Sequence, residues 1–429
     1  MKEFLFSVKS IFWRFNVWLI ALLALLVRLL GLKWMSYANF PEFYRDYGMV
    51  SRIVLGHAVW LGPPSMLGGF HFPAIYYYSM APMLWLLHGH PLGLILTGVL
   101  FSVLTVVVLF KILYLWTSER GLACIGALLC ALSVYSLHLA SYTSNPNFLP
   151  LFVLWYLYEL TLVLQQKATF WNFLWLGVAF AFATQLHTTA ALVLPVVTIV
   201  ALLIFRVRLT LSKVFVAVVA VFVMYIPYLL YETTHGFTNT LRLFSLGANN
   251  LHGGNAWFGV LALWNFFVGT ITPFNAWYSY TNLDPNSLYF IVAGVITLVI
   301  LRLIYAFTFG QASFTRSQVR LFSKEARVLL WLWFLVEALV MILYSRAAHD
   351  HYLIVLWPLP IILLTWFIWR IKQMFGIYTS VVLAFVVIFS LQIFSFYRHA
   401  STSWSAFLPE YKQHYENNPN LEEIGSRWQ

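Results

Sequence analysis

The sequence predicts an all-α membrane protein that crosses the bilayer many times. Hydrophobic residues make up 62% of the 429 residues, and charged residues make up only 9%. Apolar runs of about 17 to 25 residues recur along nearly the whole chain, and each is long enough to cross a bilayer core as a helix. A soluble protein of this length would need amphipathic surface helices, and the chain has too few polar faces to form them.

The basic residues predict how the chain is oriented. The net charge is +11, and the Lys and Arg residues lie at the ends of apolar runs, which is typical of a membrane protein rather than a nucleic-acid-binding one. The first run, 15–32, follows Lys2, Lys9 and Arg14 and has no small-residue cleavage site. We therefore expect an uncleaved anchor and a cytoplasmic N-terminus.

Two aromatic-rich segments are predicted to lie at the membrane interface. If 74–88 or 256–272 crossed the bilayer, the later basic loops would fall outside, against the positive-inside rule. The remaining runs predict eleven transmembrane helices, near 15–32, 91–112, 121–139, 147–164, 171–186, 189–205, 212–231, 287–308, 328–345, 352–370 and 376–396. The transmembrane domain is thus predicted over 1–396, with outer loops at 33–90 and 232–286 and an outward-facing tail at 397–429.

The polar segments collect on the predicted outer face. They include the stretches around Asp46, "GGFHFP" (68–73), "SYTSNPNF" (141–148), "QLHTT" (185–189) and "SRAAHDHY" (345–352). The sequence has no phosphate-cradling Gly-rich loop, no dinucleotide fingerprint and no Asp-x-Asp pair. These patterns indicate chemistry on the extracytoplasmic side of the membrane.

The first outer loop carries two candidate catalytic carboxylates. Glu42 and Asp46 are four residues apart and share one face of a predicted helix, with Arg45 beside them. A partly shielded carboxylate is suited to accept a proton from a sugar hydroxyl. An ordinary helix start after Pro41 would also favour acidic residues, so both interpretations stay open.

Basic residues in the outer loops are candidates for phosphate binding. Arg346, with His349 and His351 at a predicted helix start, would hold a phosphate through charge-assisted hydrogen bonds. A hydrated interfacial loop explains the same residues equally well. The His-Asp-His run has too few ligands to support a metal site. His71, in a Gly- and Pro-rich turn, suits a structural role at least as well as a ligand role.

Amide, imidazole and indole side chains on the outer face are candidates for sugar or acceptor binding. Asn145 also suits a helix start, and Gln185 and His187 would also pair with neighbouring backbone. Trp257 and Trp277 would stack on sugar rings or anchor the loop at the interface.

The order of these segments resembles the integral-membrane glycosyltransferases of the GT-C fold. The order is similar to that of bacterial family 39 and the aminoarabinose-transferase-like proteins, which are grouped with the protein O-mannosyltransferases. The matching text is "EFYRDYGMVSRIVLGHAVWLGPPSMLGGFHFPAIYYYSMAP", then "SNPNFLPLF" and "HYLIVLWP". The resemblance implies that Asp46, with Glu42 behind it, takes the place of the catalytic acid.

Two positions depart from the pattern of this family. Asn145 stands where the aminoarabinose transferases have Asp, so a second carboxylate is not expected there. Phe72 precedes Pro73 where those enzymes have a phosphate-binding Lys. The expected phosphate-binding residues therefore come from elsewhere and are Arg45, His71, Arg346, His349, His351 and Tyr352.

The resemblance implies an inverting transfer of a hexose or pentose from a polyprenyl-phosphate donor to a hydroxyl of a glycan, lipid or protein. The expected partners are this donor, membrane lipid and the acceptor, without nucleic acid. The expected site of action is the outer side of a bacterial or archaeal plasma membrane. No cofactor is indicated, and the sequence does not support a divalent cation. A transporter or flippase, with Glu337 at mid-depth, and a lipid-linked glycan ligase are the alternatives.

Overall fold

The computed structural model describes residues 17–30, 41–65, 69–141, 143–250, 321–343 and 350–375, together with residues 260, 262, 263 and 266. The predicted spans 287–308 and 376–396, the tail 397–429 and most of the predicted interfacial segment 256–272 lie outside the described residues.

The described part of the chain is helical apart from one short pair of strands. Its elements in chain order are α1 (Val17–Leu30), α2 (Pro41–Val54), β1 (Leu61–Pro64), β2 (His71–Pro73), α3 (Ile75–Leu86), α4 (Leu92–Thr117), α5 (Arg120–Leu132), α6 (Val134–Ser141), a 3₁₀ helix (Asn145–Phe148), α7 (Leu149–Leu164), α8 (Phe170–Leu186), α9 (Thr188–Phe205), α10 (Leu211–Thr234), α11 (Thr238–Asn250), α12 (Lys324–Leu343), a 3₁₀ helix (Asp350–Leu356) and α13 (Pro358–Phe375).

Several of these helices are long and apolar enough to cross a membrane. Among the described residues there are five such spans, which are α4, Asn145–Leu164, α9, α10 and α12. The bent pair of α5 and α6 would make a sixth, and α1, α8 and Pro358–Arg370 are shorter apolar helices. The predicted class of all-α polytopic membrane protein is confirmed, whereas the count of eleven spans stays a prediction.

The predicted span 121–139 is a broken helix rather than a continuous one. Ser133 adopts an extended conformation between α5 and α6, and the two helices meet at an angle of 52°. The buried guanidinium of Arg28 in α1 bridges this break, donating to the Ala131 carbonyl at 3.1 Å and to Ser136 Oγ at 2.7 Å. A cation that satisfies carbonyls left free at a helix end stabilises such a break.

The predicted span 352–370 also differs in detail. The chain first forms the 3₁₀ helix Asp350–Leu356 and enters α13 only at Pro358. Proline suits the first position of a helix because it has no N–H to leave unpaired there.

The first outer loop, predicted over 33–90, folds into α2, the β1–β2 pair and α3. At 12 residues, α3 is only about 18 Å long, which is too short for the roughly 30 Å bilayer core. The two strands are antiparallel and approach closely at Gly62. A Cβ atom at Gly62 would lie 2.3 Å from the Pro73 carbonyl oxygen, so this approach requires glycine.

Gly177 allows α8 to pack tightly against α10. A Cβ atom there would lie 2.4 Å from the backbone oxygen of Ala217. We expect Gly177→Val to separate the two helices and destabilise the protein by about 1–3 kcal/mol, as overpacking does. Thermal unfolding in detergent measures this effect. Gly48→Ala is the matched control, because nothing lies within 4 Å of a Cβ there. Equal melting temperatures for the two variants would contradict the expectation.

Candidate active site

The amphipathic helix α2 places Asp46 inside the protein. Phe43, Tyr47 and Val50 are buried at helical spacing, and Asp46 lies on the same side. The Asp46 side chain has no exposed surface, whereas Glu42, in the first turn, is exposed. The two predicted carboxylates, although one helical turn apart, therefore occupy different environments.

The buried Asp46 carboxylate is hydrogen-bonded on both oxygens. Arg45 Nε donates to Asp46 Oδ1 at 2.8 Å, and Arg45 Nη2 lies 2.7 Å from the same oxygen. Tyr76, on α3, donates its hydroxyl to Oδ2 at 2.8 Å. The Arg45 side chain is 33% exposed, so it is the part of this cluster that meets solvent. These contacts offset the cost of burying a carboxylate.

Burial raises the pKa of Asp46 to about 6, and the Arg45 charge and the Tyr76 hydrogen bond oppose this rise. The pKa of Arg45 is raised despite its burial, because the Asp46 carboxylate favours the charged guanidinium. Burial and the Asp46 charge raise the pKa of the Tyr76 and Tyr77 hydroxyls, which keeps both protonated. A carboxyl group with a pKa near neutrality is suited to general acid–base chemistry.

The Tyr76 ring connects this cluster to the 3₁₀ helix Asn145–Phe148. It packs against Phe148, with ring centroids 5.3 Å apart. In the same 3₁₀ helix, Asn145 donates its side-chain amide to the Leu186 carbonyl at 2.6 Å. The predicted outer segments "SYTSNPNF" and "QLHTT" are therefore adjacent to each other and to the Asp46 cluster.

His187, between α8 and α9, contacts residues of two other outer segments. The His187 ring stacks on the Phe72 ring of β2, with ring centroids 6.2 Å apart. It also packs edge-on against the rings of His351 and Tyr352, whose centroids lie 5.8 Å and 5.6 Å away. The described parts of five polar segments that were predicted to share the outer face thus come together in the fold. We refer to this group of segments as the candidate active site.

Basic side chains flank the β1–β2 pair. Burial and the nearby charges of Arg45 and Arg242 lower the pKa of His71. Arg242 lies on α11 and donates to the Gly69 carbonyl at 3.4 Å. The sequence predicts Arg45 and His71 as phosphate-binding residues but not Arg242, because nothing in the sequence indicates that α11 packs on this turn.

Two predicted sugar-binding residues have hydrogen-bond partners within the protein. The Gln185 amide donates to the Met224 carbonyl at 3.1 Å, and His187 Nδ1 lies 2.8 Å from Thr189 Oγ1 and caps α9. Their predicted contacts with sugar stay predictions.

The remaining site predictions lie outside the described residues, namely Arg346, His349, Trp257 and Trp277. Within the described ranges, no three His, Cys, Asp or Glu side chains are grouped so that they would hold a metal ion.

The fold is similar to two kinds of solved membrane protein. ArnT from Cupriavidus metallidurans bound to undecaprenyl phosphate matches with a TM-score of 0.55 and 14% identity, over 82% of this chain and 60% of that one. The apo state of the same protein matches with a TM-score of 0.55 and 15% identity, over 82% and 59%. The archaeal oligosaccharyltransferase AglB from Archaeoglobus fulgidus, in complex with an inhibitory peptide and a dolichol-phosphate, matches with a TM-score of 0.52 and 10% identity, over 98% and 60%.

No protein-family model and no curated protein sequence matches the chain. The chain spans about 60% of the length of the ArnT and AglB chains. At 10–15% identity the likeness is one of architecture. The chain therefore has the GT-C fold, as the order of its motifs predicted.

Proposed function

We propose that this protein is a glycosyltransferase that moves a sugar from a polyprenyl-phosphate donor to an acceptor hydroxyl on the extracytoplasmic side of the membrane. The observation that carries the proposal is the buried Asp46, held between Arg45 and Tyr76 at the junction of the outer segments. The lipid phosphates named for ArnT and AglB, undecaprenyl phosphate and dolichol-phosphate, support this class of donor.

In the proposed reaction Asp46 acts as the general base. It takes the proton of the acceptor hydroxyl while the hydroxyl oxygen attacks the anomeric carbon and the bond to the phosphate oxygen breaks, with inversion. The products are the glycosylated acceptor and free polyprenyl phosphate, and the proton passes from Asp46 to solvent. Because Asp46 has no exposed surface, the acceptor must approach from the side of Arg45 and displace part of that side chain. Glu42, exposed one turn earlier, is the second candidate for the base.

The leaving phosphate would be stabilised by positive charge. Arg45 and Arg242 supply it in the described part of the site, where the His71 imidazole beside them would donate a hydrogen bond, and Tyr352 and His351 lie beyond Phe72 and His187. Arg346 and His349 are proposed to complete this group. Charge that is already in place at a developing phosphate anion lowers the barrier without reorganisation.

The pKa of Asp46 predicts a rising pH profile. The base must be ionised, and its pKa is raised to about 6. We therefore expect kcat/KM to rise about tenfold per pH unit below pH 6 and to level off above it, as for a single ionisation. Initial rates between pH 4.5 and 8.5 in nanodiscs measure the profile. A rate that falls as pH rises through 6 would contradict the role of Asp46 as base.

Binding of the product lipid tests the donor class without requiring turnover. We expect undecaprenyl phosphate to raise the melting temperature of the purified protein in a concentration-dependent way. Undecaprenol, which has the same chain without the phosphate, is the matched control and should have a much smaller effect. Equal shifts with the two lipids would show that the phosphate is not recognised, which contradicts the proposal.

A transport function is the second candidate, because the Glu337 carboxyl favours it. Glu337 lies within α12 with no exposed surface, and neither of its oxygens has a hydrogen-bond partner among the described residues. An ionisable group at membrane depth often marks a transport pathway. Glu337→Gln separates the two functions. A transporter should lose lipid or sugar flux in proteoliposomes, whereas the proposed transferase should retain turnover in a properly folded variant.

A further inference from the structure

Helix α11 is attached to the candidate active site by the side chain of Asn239. Asn239 is 5% exposed. Its Oδ1 accepts the backbone N–H of His71 at 2.7 Å, and its Nδ2 donates to the His71 carbonyl at 2.9 Å. Nδ2 also donates to the Tyr228 hydroxyl at 3.1 Å. One amide side chain thus satisfies both backbone groups of one residue, as a neighbouring strand would.

A buried carboxylate keeps the beginning of α11 in place. Glu232, near the end of α10, has no exposed surface, and its Oε2 accepts the backbone N–H of Thr240 at 2.9 Å. The first N–H groups of a helix have no partner within the helix, and a carboxylate is well suited to accept from them. Asn239 directly precedes Thr240, and its amide also contacts Tyr228. Because Glu232 and Tyr228 both belong to α10, this helix fixes the position of Asn239.

His71, whose backbone Asn239 holds, determines the geometry of the basic group and of the aromatic contact made by Phe72. The next residue, Phe72, stacks on His187, which in turn contacts Tyr352. The His71 side chain itself lies close to the positive charges of Arg45 and Arg242. A shift of the His71 backbone would move both the basic group and the aromatic contact.

We propose that Asn239 is a positioning residue that fixes the His71–Phe72 backbone so that the basic side chains bind the phosphate of the lipid donor. This proposal rests on the proposed function, because it assumes a lipid phosphate at this turn. Asn239 touches neither donor nor acceptor in it, and acts only through His71. The expected consequence is an effect on donor binding rather than on the chemical step.

Asn239→Ala tests the proposal through two independent measurements. We expect amide hydrogen exchange in the peptide that contains His71 to become at least about tenfold faster, because this N–H loses its acceptor. We expect the KM for the donor and the Kd of undecaprenyl phosphate to rise about tenfold, as for the loss of one or two hydrogen bonds that hold a binding group. The value of kcat should fall by less than about threefold, since the base is unchanged.

Two further variants make the result specific. Asn172→Ala is the matched control, since its amide donates to Glu159 Oε2 at 2.9 Å and makes no contact with His71. We expect this control to leave exchange at His71 and donor affinity unchanged. Tyr228→Phe removes the third partner of Asn239, together with the 3.0 Å contact between the Tyr228 hydroxyl and Thr240 Oγ1, but keeps both bonds to the His71 backbone, and should give a smaller effect than Asn239→Ala. This milder variant keeps the test valid if Asn239→Ala does not fold.

The outcomes distinguish this proposal from the proposed function. Unchanged amide exchange at His71 in Asn239→Ala would overturn the attachment of α11 to the His71 backbone. Faster exchange with unchanged donor affinity would overturn the role of Asn239 in donor binding. A loss confined to kcat would also overturn it. If the wild type neither binds undecaprenyl phosphate nor turns over any donor, the proposed function fails and the binding role fails with it. Faster exchange in Asn239→Ala would then still support the attachment of α11 to the turn.

Discussion

Asp46→Asn is expected to lower kcat by about 10²–10⁴-fold, the usual contribution of a general base. Asparagine has nearly the same shape and keeps an oxygen that accepts from Tyr76, which donates to Asp46 at 2.8 Å in the structure. It cannot take a proton from the acceptor hydroxyl. The Kd of undecaprenyl phosphate should change little, because this residue acts on the acceptor. Release of free polyprenyl phosphate from a labelled donor measures kcat.

Two carboxylates serve as controls for this substitution. Glu119 is exposed and lies just before α5, so Glu119→Gln should behave like the wild type. Glu42→Gln should give a smaller loss than Asp46→Asn, because Glu42 is exposed, whereas Asp46 is buried and held by Arg45 and Tyr76. Wild-type turnover in a folded Asp46→Asn protein would exclude Asp46 as the base, and a larger loss in Glu42→Gln would assign that role to Glu42.

Arg45→Gln is expected to have the second largest effect, with kcat/KM at pH 7 reduced by about 10–100-fold, the loss that follows from removing charge-assisted hydrogen bonds. The reason is twofold. Burial raises the pKa of Asp46, and the Arg45 charge is the main influence that opposes it. Without Arg45, the acid limb of the pH profile should move from near pH 6 to higher pH, and a positive charge near the donor phosphate is lost.

The pH dependence separates these two causes. Asp46 is more fully ionised at pH 8.5 than at pH 7, so Arg45→Gln should recover at pH 8.5 activity that it loses through protonation of Asp46. The part that persists reports binding of the phosphate. Arg52→Gln, at the other end of α2, is the matched control and should keep the wild-type profile. If the acid limb of Arg45→Gln stays at pH 6 or moves to lower pH, this result would contradict the contact between Arg45 and Asp46.

Local patterns in the sequence explain most of what could be predicted. Long apolar runs predicted the helical membrane class, and the Gly- and Pro-rich turn after α2 predicted the irregular connection that contains β1 and β2. The neighbours Arg45 and Asp46 could be expected to interact because they are adjacent. Their environments could not be derived in the same way, since burial of Asp46 depends on α3 packing against α2.

Contacts between distant residues account for most of what was missed. The sequence predicts Tyr76 only as an interfacial aromatic, and its bond to Asp46 joins residues 30 apart. Asn239 contacts His71 across 168 residues, and Arg28 reaches Ala131 across 103. No short-range sequence pattern predicts such contacts, because they depend on how the helices pack. Sequence similarity to known proteins is also low, at 10–15% identity in the structural matches.

The most direct test of the central claim is release of free polyprenyl phosphate by the purified protein in nanodiscs. The protein would be given a panel of polyprenyl-phosphate hexoses and pentoses together with a cell-envelope extract as the source of acceptor. Wild type and Asp46→Asn would be compared at pH 7.5, where most of the Asp46 carboxyl, with its pKa of about 6, is ionised. We predict release with at least one donor in the wild type and almost none in Asp46→Asn. Equal release by the two proteins, or no release with any donor, would contradict the claim.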